Sequence, residues 1–190
     1  EHLLVYDSGP RYSQESDAAG RVLLPLLRAR GEGRIDQLVL SHRDTDHTGG
    51  AASLLRGMPV VASLSSLEAG HGLQAALPAH RRCEAGQQWT WDGVRFEVLH
   101  PRAEDYARGL PPNGLSCVLR VSDARGPRIL LTGDIEAAQE AELVARSPPG
   151  ALRSPWLLVP HHGSRTSSTE PLLQAVQPTL AIAQAAYRNR

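Results

Sequence analysis

Residues 41–50 read Ser-His-Arg-Asp-Thr-Asp-His-Thr-Gly-Gly, and they follow the apolar run Ile35–Leu40. That run predicts a strand buried on both faces, and the two glycines permit a tight turn before a short helix. The alternative is a polar loop in which Asp46 or Thr48 caps that helix, but capping accounts for only one acid. The stretch therefore predicts a metal-binding loop at a strand end. Its potential ligands are His42, Asp44, Asp46 and His47.

An extended loop would give these side chains a particular arrangement. Side chains at alternate positions converge on one side, so His42, Asp44 and Asp46 would face one way and His47 the other. Such a loop can serve two metal ions placed close together. We therefore expect a pair of ions here.

Two further polar clusters begin where buried strands end. One is Leu130-Leu131-Thr132-Gly133-Asp134, and the other is Val159-Pro160-His161-His162-Gly163-Ser164. Taken alone, the acid is typical of a helix cap and a single histidine is typical of a structural residue. Because strand ends gather at one edge of layered α/β folds, we expect all three clusters to form one site. Carboxylates and imidazoles without thiolates suit Zn²⁺, Mn²⁺ or Fe²⁺, and the many acids favour Mn²⁺.

The composition excludes several functions. The chain has 190 residues with 20 acidic and 20 basic side chains, so no overall positive field attracts nucleic acid from a distance. Every basic residue is arginine, which excludes mechanisms that need lysine. The length and the apolar share of 41% suit a single globular domain, residues 1–190. The isolated Cys83 and Cys117 predict buried or half-buried thiols.

Apolar periodicity predicts the elements of an α/β protein with two mixed sheets and helices outside them. The first helix is expected to bury Val22, Leu23, Leu26 and Leu27 on one face. The predicted strands are Leu3–Tyr6, Ile35–Leu40, Pro59–Ala62, Gln87–Trp91, Val94–Leu99, Ser116–Val121, Arg128–Leu131, Trp156–Val159 and Thr179–Ala183. The predicted helices are Ala18–Arg30, Gly49–Arg56, Ile135–Ala145 and Thr169–Val176.

The three clusters together resemble the metallo-β-lactamase superfamily, which implies an αββα sandwich of two mixed sheets flanked by helices. Within it, HRDTDHTGG and VPHHGSRTSS resemble the C-terminal domain of the ComEC family of DNA-uptake channels. The opening YDSGP and the closing AAYRNR also resemble motifs of that domain. The resemblance covers nearly the whole chain. It implies a domain excised from a larger membrane protein, trimmed at both ends, with further motif residues past Arg190.

The resemblance also implies a ligand set. Asp44 stands where the superfamily pattern HxHxDH has its second histidine, and no histidine lies in Pro112–Ser116, where the next is expected. Asn113 or Ser116 would substitute there. The first metal site would comprise His42, Asp44 and Asp134. The second would comprise Asp46, His47, Asp134 and one of His161 and His162. The position before glycine favours His162, with His161 orienting it or touching phosphate.

By the same resemblance, we expect a metal-dependent nuclease that degrades the non-transforming single strand of DNA during natural transformation. Two Mn²⁺ or Zn²⁺ ions would be bridged by Asp134, with Asp46 orienting the attacking water and His161 donating to the leaving oxygen. Arg43 and Arg165 would hold flanking phosphates, although both also suit ordinary surface positions. Other expected substrate contacts are Asn113, Ser116 and Ser164.

The expected partner is the rest of the ComEC channel, in the cell envelope. The chain would be a periplasmic, soluble domain of an inner-membrane protein, monomeric in isolation and without membrane insertion of its own. Two alternatives stay open. One is a catalytically weak or inactive domain that guides DNA or supports the channel. The other is a small-molecule metallohydrolase, such as a phosphorylcholine esterase or a lactonase.

Overall fold

A computed structural model describes residues 1–185, so most of the closing AAYRNR motif lies outside the described residues. The chain forms two compact units, one comprising Glu1–Cys83 and the other beginning at Glu84. No helix in the described part of the chain has the length and apolar run needed to cross a bilayer.

The first unit is built on a four-stranded sheet whose pairings are all parallel, in the order β1-β4-β5-β6. The central β4 is buried along nearly its whole length, as its apolar run predicted. Strands β2 and β3 form a separate hairpin. Sequence periodicity missed this hairpin and β6 because both are short and polar. The strands are β1 (Leu4–Tyr6), β2 (Arg11–Ser13), β3 (Ser16–Asp17), β4 (Ile35–Leu40), β5 (Val60–Ser65) and β6 (His80–Arg82).

The first helix begins with a π-helical turn, Ala19–Leu23, and continues as α1, Leu24–Ala29. The predicted buried face is wrong in part, because Val22 and Leu26 are 56% and 53% exposed. A π turn places residues five apart on one face, and Ala19 and Leu24 are the buried pair at that spacing. The apolar face of this helix is therefore rotated away from the face that regular α-helical spacing predicts. Two short helices follow, α2 (Thr45–Thr48) and α3 (Ala51–Gly57).

The second unit contains a six-stranded mixed sheet in the order β12-β11-β10-β9-β8-β7. Strands β7 to β10 pair antiparallel, and β10, β11 and β12 pair parallel. The strands are β7 (Gln88–Trp91), β8 (Val94–His100), β9 (Val118–Asp123), β10 (Gly126–Leu131), β11 (Trp156–Leu158) and β12 (Leu180–Ile182). The α-helices are α4 (Ala137–Arg146) and α5 (Glu170–Val176).

Each unit has its own aliphatic core, as the scarcity of aromatic residues predicts. In the first unit β4 packs against the helices through residues such as Leu38, Leu40, Leu54 and Leu27. In the second, β10 and β11 pack against α4 and α5 through residues such as Leu130, Leu157, Leu143 and Leu172. These cores fix the strand ends from which the polar clusters project.

A buried carboxylate orders the loop that follows the twin histidines. Glu140 of α4 is fully buried and accepts the backbone N–H groups of Ser168 and Thr169 at 2.6 and 2.7 Å. These N–H groups belong to the two residues that precede α5, where no carbonyl of the helix can accept them.

The prediction of free thiols is wrong. Cys83 and Cys117 are both fully buried, and each is disulfide-bonded. Two cysteines so far apart in sequence give no local signal of their redox state.

Candidate functional site

The metal-binding loop predicted as extended is instead one turn of helix. Asp44 is the N-cap of α2, and the amide of Gly49 donates to the carbonyl of Thr45 at 2.9 Å. The hydroxyl of Thr48 also donates to the carbonyl of Asp44. Asp46 and His47 therefore lie on a helical turn, and the alternation expected of an extended loop does not apply.

The four polar side chains of this loop differ sharply in exposure. His42 and His47 are 1% and 3% exposed, whereas the side chains of Asp44 and Asp46 are 44% and 52% exposed. The Nε2 atom of His42 lies 3.5 Å from Oδ2 of Asp44, and that of His47 lies 3.7 Å from Oδ2 of Asp46. Two ligands of one tetrahedral ion lie about 3.4 Å apart, so these spacings suit shared coordination.

A buried carboxylate orients His47. The Nδ1 atom of His47 lies 2.8 Å from Oδ2 of Asp7, and a carboxylate can only accept, so Nδ1 carries the proton. The amide and hydroxyl of Ser41 also donate to Asp7, at 2.6 and 2.8 Å. With its proton on Nδ1, His47 presents Nε2 as an acceptor able to ligate a metal.

The same serine orients His42. The Ser41 hydroxyl gives its one hydrogen to Asp7, so it accepts from Nδ1 of His42 at 3.0 Å. His42 therefore also presents Nε2 as an acceptor. Asp7 and Ser41 thus orient both imidazoles of this loop, His42 and His47, with Nε2 available as an acceptor.

The turn after α2 packs tightly against the loop that carries Asp7. The amide and the hydroxyl of Ser8 both donate to the carbonyl of His47 at 2.8 Å. A side chain on Gly49 would lie 2.3 Å from the amide nitrogen of Arg11, and one on Gly50 would lie 2.4 Å from the carbonyl of Ser8. The glycine pair is thus required by close backbone approach.

In the second unit, Asp134 follows β10 and is only 4% exposed. Its amide donates to the hydroxyl of Ser116 at 3.0 Å. Ser116 is fully buried, so it supports Asp134 from within the fold. The preceding Gly133 adopts a positive φ of 53°, which suits glycine and turns the chain after the strand.

The twin histidines differ in their Nδ1 partners, whereas Nε2 of each faces Oδ2 of Asp134, which lies 3.9 Å from that of His161. The Nδ1 atom of His162 donates to the carbonyl of Gln184 at 2.7 Å, and its Nε2 lies 3.4 Å from Oδ2 of Asp134. The Nδ1 atom of His161 lies 3.2 Å from both Oε1 of Glu136 and the hydroxyl of Thr166. His162 is therefore the better-placed ligand, and His161 is held by a separate acid.

Both histidines adopt left-handed backbone conformations, with φ of 49° and 56°. Non-glycine residues in that region are strained, and consecutive ones occur where the surrounding structure enforces them. The amide of His161 donates to the carbonyl of Gly133 at 3.1 Å, which ties this turn to the residue before Asp134.

Asn113 lies beside His161, in a 3₁₀ turn over Pro112–Leu115. Its Nδ2 atom is 3.5 Å from Nε2 of His161. Its Oδ1 atom is buried without a hydrogen-bond partner among residues 1–185. This oxygen is therefore suited to an ion or a substrate group.

The remaining predicted site residues are less constrained. Arg43 is half-exposed and pairs with Glu68 at 2.8 Å, and this hydrogen bond raises the pKa of the Arg43 guanidinium. The hydroxyl of Ser164 lies 3.1 Å from that of Thr166. Arg165 is exposed on the same loop.

Sequence reasoning missed the residues that support the ligands. These are Asp7, Ser41, Glu136 and Thr166. Asp7 had a usable signal, because it is an acid directly after the apolar strand β1, the same pattern that identified Asp134. Glu136 and Thr166 carry no such signal, since their roles depend on contacts distant in sequence.

Imidazole and carboxylate groups prepared for ligation at strand ends define a metal-binding α/β protein. A family model described as the metallo-beta-lactamase superfamily matches residues 1–185, and the chain belongs to that superfamily. This membership implies divalent metal binding. The chain is 40% identical over 190 residues to competence protein ComA of Neisseria gonorrhoeae. It is 35% identical over 184 residues to recombination protein 2 of Haemophilus influenzae and 34% identical over 198 residues to ComE operon protein 3 of Bacillus subtilis.

These alignments cover 98%, 94% and 98% of this chain but only 24%, 21% and 25% of the relatives. The chain thus spans about a quarter of the length of the curated relatives it matches. The recognition of the superfamily and of its competence-protein branch is confirmed.

Solved structures confirm the fold. MEM-A1, a subclass B3 metallo-beta-lactamase from a soil metagenome library, has a TM-score of 0.55 at 14% identity, covering 83% of this chain and 69% of that one. YhfI of Bacillus subtilis, a metallo-beta-lactamase fold protein, has a TM-score of 0.52 at 13% identity, covering 97% and 85%. The α/β class and the metallo-β-lactamase fold predicted from sequence are therefore correct.

Proposed function

We propose that this chain is a metal-dependent phosphodiesterase that cleaves DNA, with divalent ions bound by Asp46 and His47 of the first unit and by Asp134 and His162 of the second. One observation carries the proposal. In His47 and in His162, Nδ1 donates to a protein oxygen while Nε2 faces a carboxylate oxygen at 3.7 and 3.4 Å. Two acceptors that face each other repel unless a cation, a proton or a metal ion, lies between them.

The donor set fits the metal that the superfamily implies. Two imidazoles and two carboxylates suit Zn²⁺ or Mn²⁺, and Nδ1 of each histidine has the oxygen partner that metal-binding histidines require. His42 and Asp44 would be further ligands in the first unit. Divalent ions in such a site lower the pKa of water and supply positive charge against a phosphate.

The chain's own residues would divide the remaining tasks. The half-exposed Asp46 carboxylate accepts a hydrogen bond from the incoming water and orients it. His161, held by Glu136, carries the proton that the leaving oxygen takes. Asn113, Ser164, Arg165 and Arg43 bind the flanking phosphates, and Arg43 must exchange its partner Glu68 for phosphate to do so.

The relatives support the substrate and the setting that we propose. Two relatives are named for competence and for recombination, and these names support DNA as the substrate. We assign the non-transforming single strand as that substrate. The partner is then the remainder of a membrane channel, with this domain on the extracytoplasmic side of an inner-membrane protein. Disulfide-bonded cysteines support that side, because disulfides persist in oxidising compartments such as the periplasm.

The test is cleavage of a single-stranded oligonucleotide by the 190-residue chain loaded with Mn²⁺ or Zn²⁺. Wild type should cut, and Asp46→Asn and Asp134→Asn should fall to background. Glu104→Gln is the matched control, because Glu104 is an acid that is 63% exposed and pairs with Arg102 at the surface. Equal rates for wild type and Asp46→Asn, or no cutting with either metal, would refute the proposal.

A non-enzymatic DNA-guiding domain is the second candidate, and one observation favours it. Binding of an ion at His42 would depend on Asp44, whose side chain is 44% exposed, in place of a buried imidazole. Metal content separates the two functions. Two bound equivalents support the enzyme, while none at saturating Mn²⁺ supports the scaffold.

A further inference from the structure

The hairpin formed by β2 and β3 carries an exposed aromatic ring in a chain that has few. Aromatic residues make up 4% of the sequence. The exposed ones among residues 1–185 are Tyr12, at 56%, and Trp156, at 52%. Tyr12 lies on β2, whose three residues are all exposed. A tyrosine ring that packs in no core is available for a ligand.

A cation accompanies this ring. The guanidinium carbon of Arg21 lies 5.6 Å from the centroid of the Tyr12 ring, a cation–π distance. Arg21 is itself exposed, so the pair presents an aromatic surface and a positive charge together. Residues 11–30 contain four arginines against two acids, and one of the acids, Asp17, is bonded to Gly20 and Ser53.

The hairpin is held in a defined shape. The Arg11 side chain donates from Nε to the carbonyl of Ser13 and from Nη2 to that of Gln14, both at 2.9 Å. These hydrogen bonds stabilise the turn of the hairpin, and Ser13 of β2 pairs with Ser16 of β3. The ring of Tyr12 therefore projects from an ordered element.

The hairpin also adjoins the metal loop of the same unit. The amide nitrogen of Arg11, the residue before Tyr12, is so close to Gly49 that a side chain there would lie 2.3 Å from it. Gly49 is two residues after His47. Because Arg11 and Gly49 are in such close approach, a nucleic-acid strand bound at the metal loop would also pass the β2–β3 hairpin.

We infer that Tyr12 and Arg21 form a binding site for single-stranded nucleic acid, with a base stacked on the tyrosine ring and the arginine at a neighbouring phosphate. Exposed aromatic rings joined to arginines are the usual means of binding single strands without sequence preference. Duplex bases are stacked on each other and cannot use the ring. This inference rests on the proposed function, because it names the residues of the first unit that bind the proposed single-stranded substrate beside the same loop.

The experiment measures binding of a fluorescent dT12 oligonucleotide to the 190-residue chain in EDTA, where no cutting occurs. Tyr12→Ala should weaken binding about 5- to 100-fold, the range for loss of one stacked base, whereas Tyr12→Phe should stay within about twofold of wild type. Arg21→Ala should weaken binding and reduce its salt dependence. Arg125→Ala, which alters an 84% exposed arginine of the second unit, should change neither.

Two further ligands sharpen the result. An abasic oligonucleotide of equal length should bind wild type and Tyr12→Ala alike, because it has no base to stack. Vesicles of phosphatidylglycerol test the rival that the exposed Val22 and Leu26 suggest, a membrane surface. Tyr12→Ala losing vesicle binding but not dT12 binding would overturn the inference. So would equal dT12 binding by Tyr12→Ala and wild type, or no dT12 binding by wild type.

The outcomes separate this inference from the proposed function. Cleavage by the metal-loaded wild type together with unchanged binding by Tyr12→Ala would refute the stacking site and leave the nuclease standing. Tyr12-dependent binding without any cleavage would refute the nuclease and leave the stacking site standing.

Discussion

His47 with Asp7 and His100 with Asp105 are buried imidazole–carboxylate pairs of the same composition, one in each unit. In the first pair Nδ1 of the histidine lies 2.8 Å from the carboxylate, and Nε2 faces another acid. In the second pair the distance is 3.7 Å, and Nε2 donates to the carbonyl of Gly114 at 2.9 Å. Only the first pair therefore offers an outward lone pair to a cation.

The second pair is completed by arginines. Asp105 is fully buried and accepts from Arg102 and Arg108, and Nδ1 of His100 lies 3.4 Å from the Arg146 guanidinium. Burial opposes ionisation of Asp105, but these hydrogen bonds outweigh it and lower its pKa to about 2. Protein groups thus engage both ring nitrogens of His100, which is typical of a structural element, whereas Nε2 of His47 faces a carboxylate, which suits the ligand role proposed for it.

The largest expected effect breaks the structural pair. Asp105→Asn should destabilise the second unit by about 3 kcal/mol, because it removes a buried charge that accepts several hydrogen bonds from arginine. Urea unfolding followed by tryptophan fluorescence measures this. All three tryptophans lie in the second unit, at positions 89, 91 and 156. Metal affinity should be unchanged, and a loss of metal binding by folded Asp105→Asn would contradict the comparison.

In the His47–Asp7 pair, loss of the carboxylate should reduce metal affinity rather than stability. Asp7→Asn should lower metal affinity about 10- to 100-fold, because the partner that fixes the Nδ1 proton of His47 is lost. Calorimetric titration with Zn²⁺ measures the effect, and circular dichroism verifies the fold. Unchanged affinity in Asp7→Asn would show that Asp7 only supports the backbone.

Acid should destabilise the second unit in two steps. Burial lowers the pKa of His100 below 6.5, so the unfolded chain binds the proton more readily and stability falls as the pH drops below that value. Asp105 has its pKa lowered from 3.8 to about 2, so its contribution, on the order of 2 kcal/mol, is lost as the pH falls through that interval. Urea unfolding at a series of pH values tests both steps, and Asp105→Asn should abolish the lower one.

The smallest effect concerns an exposed pair. Arg43→Ala breaks the contact with Glu68, in which both side chains are about half exposed, and should change stability by less than about 1 kcal/mol. If Arg43 binds phosphate, the same variant raises KM for DNA more than it lowers kcat. Steady-state kinetics on a single-stranded oligonucleotide distinguish the two parameters, and an unaffected KM would restrict Arg43 to its pairing with Glu68.

Sequence predicted the fold, and it identified the turns that carry the candidate ligands, because these signals are local. The run Ile35–Leu40 and the polar stretch after it are contiguous, and so are Thr132-Gly133-Asp134 and the twin histidines. The supports of those ligands are not contiguous with them. Asp7 is 40 residues from His47, and Glu136 is 25 residues from His161, so only the folded chain shows these contacts.

The sequence pattern also did not predict which face of the first helix is buried or the helical backbone of the loop that carries Asp46 and His47. The π turn at Ala19–Leu23 rotates the apolar face and exposes Val22 and Leu26, because it adds one residue to a turn. The single helical turn of α2 replaces an extended loop for a similar reason, since backbone hydrogen bonds rather than side-chain alternation set its shape.

Anomalous diffraction from crystals of the chain soaked in Mn²⁺ or Zn²⁺ tests the central claim most directly. The claim predicts anomalous density within about 2.0–2.2 Å of Nε2 of His47 and of His162, with carboxylate oxygens of Asp46 and Asp134 among the ligands. No peak at saturating metal, or peaks that contact neither histidine, would contradict it.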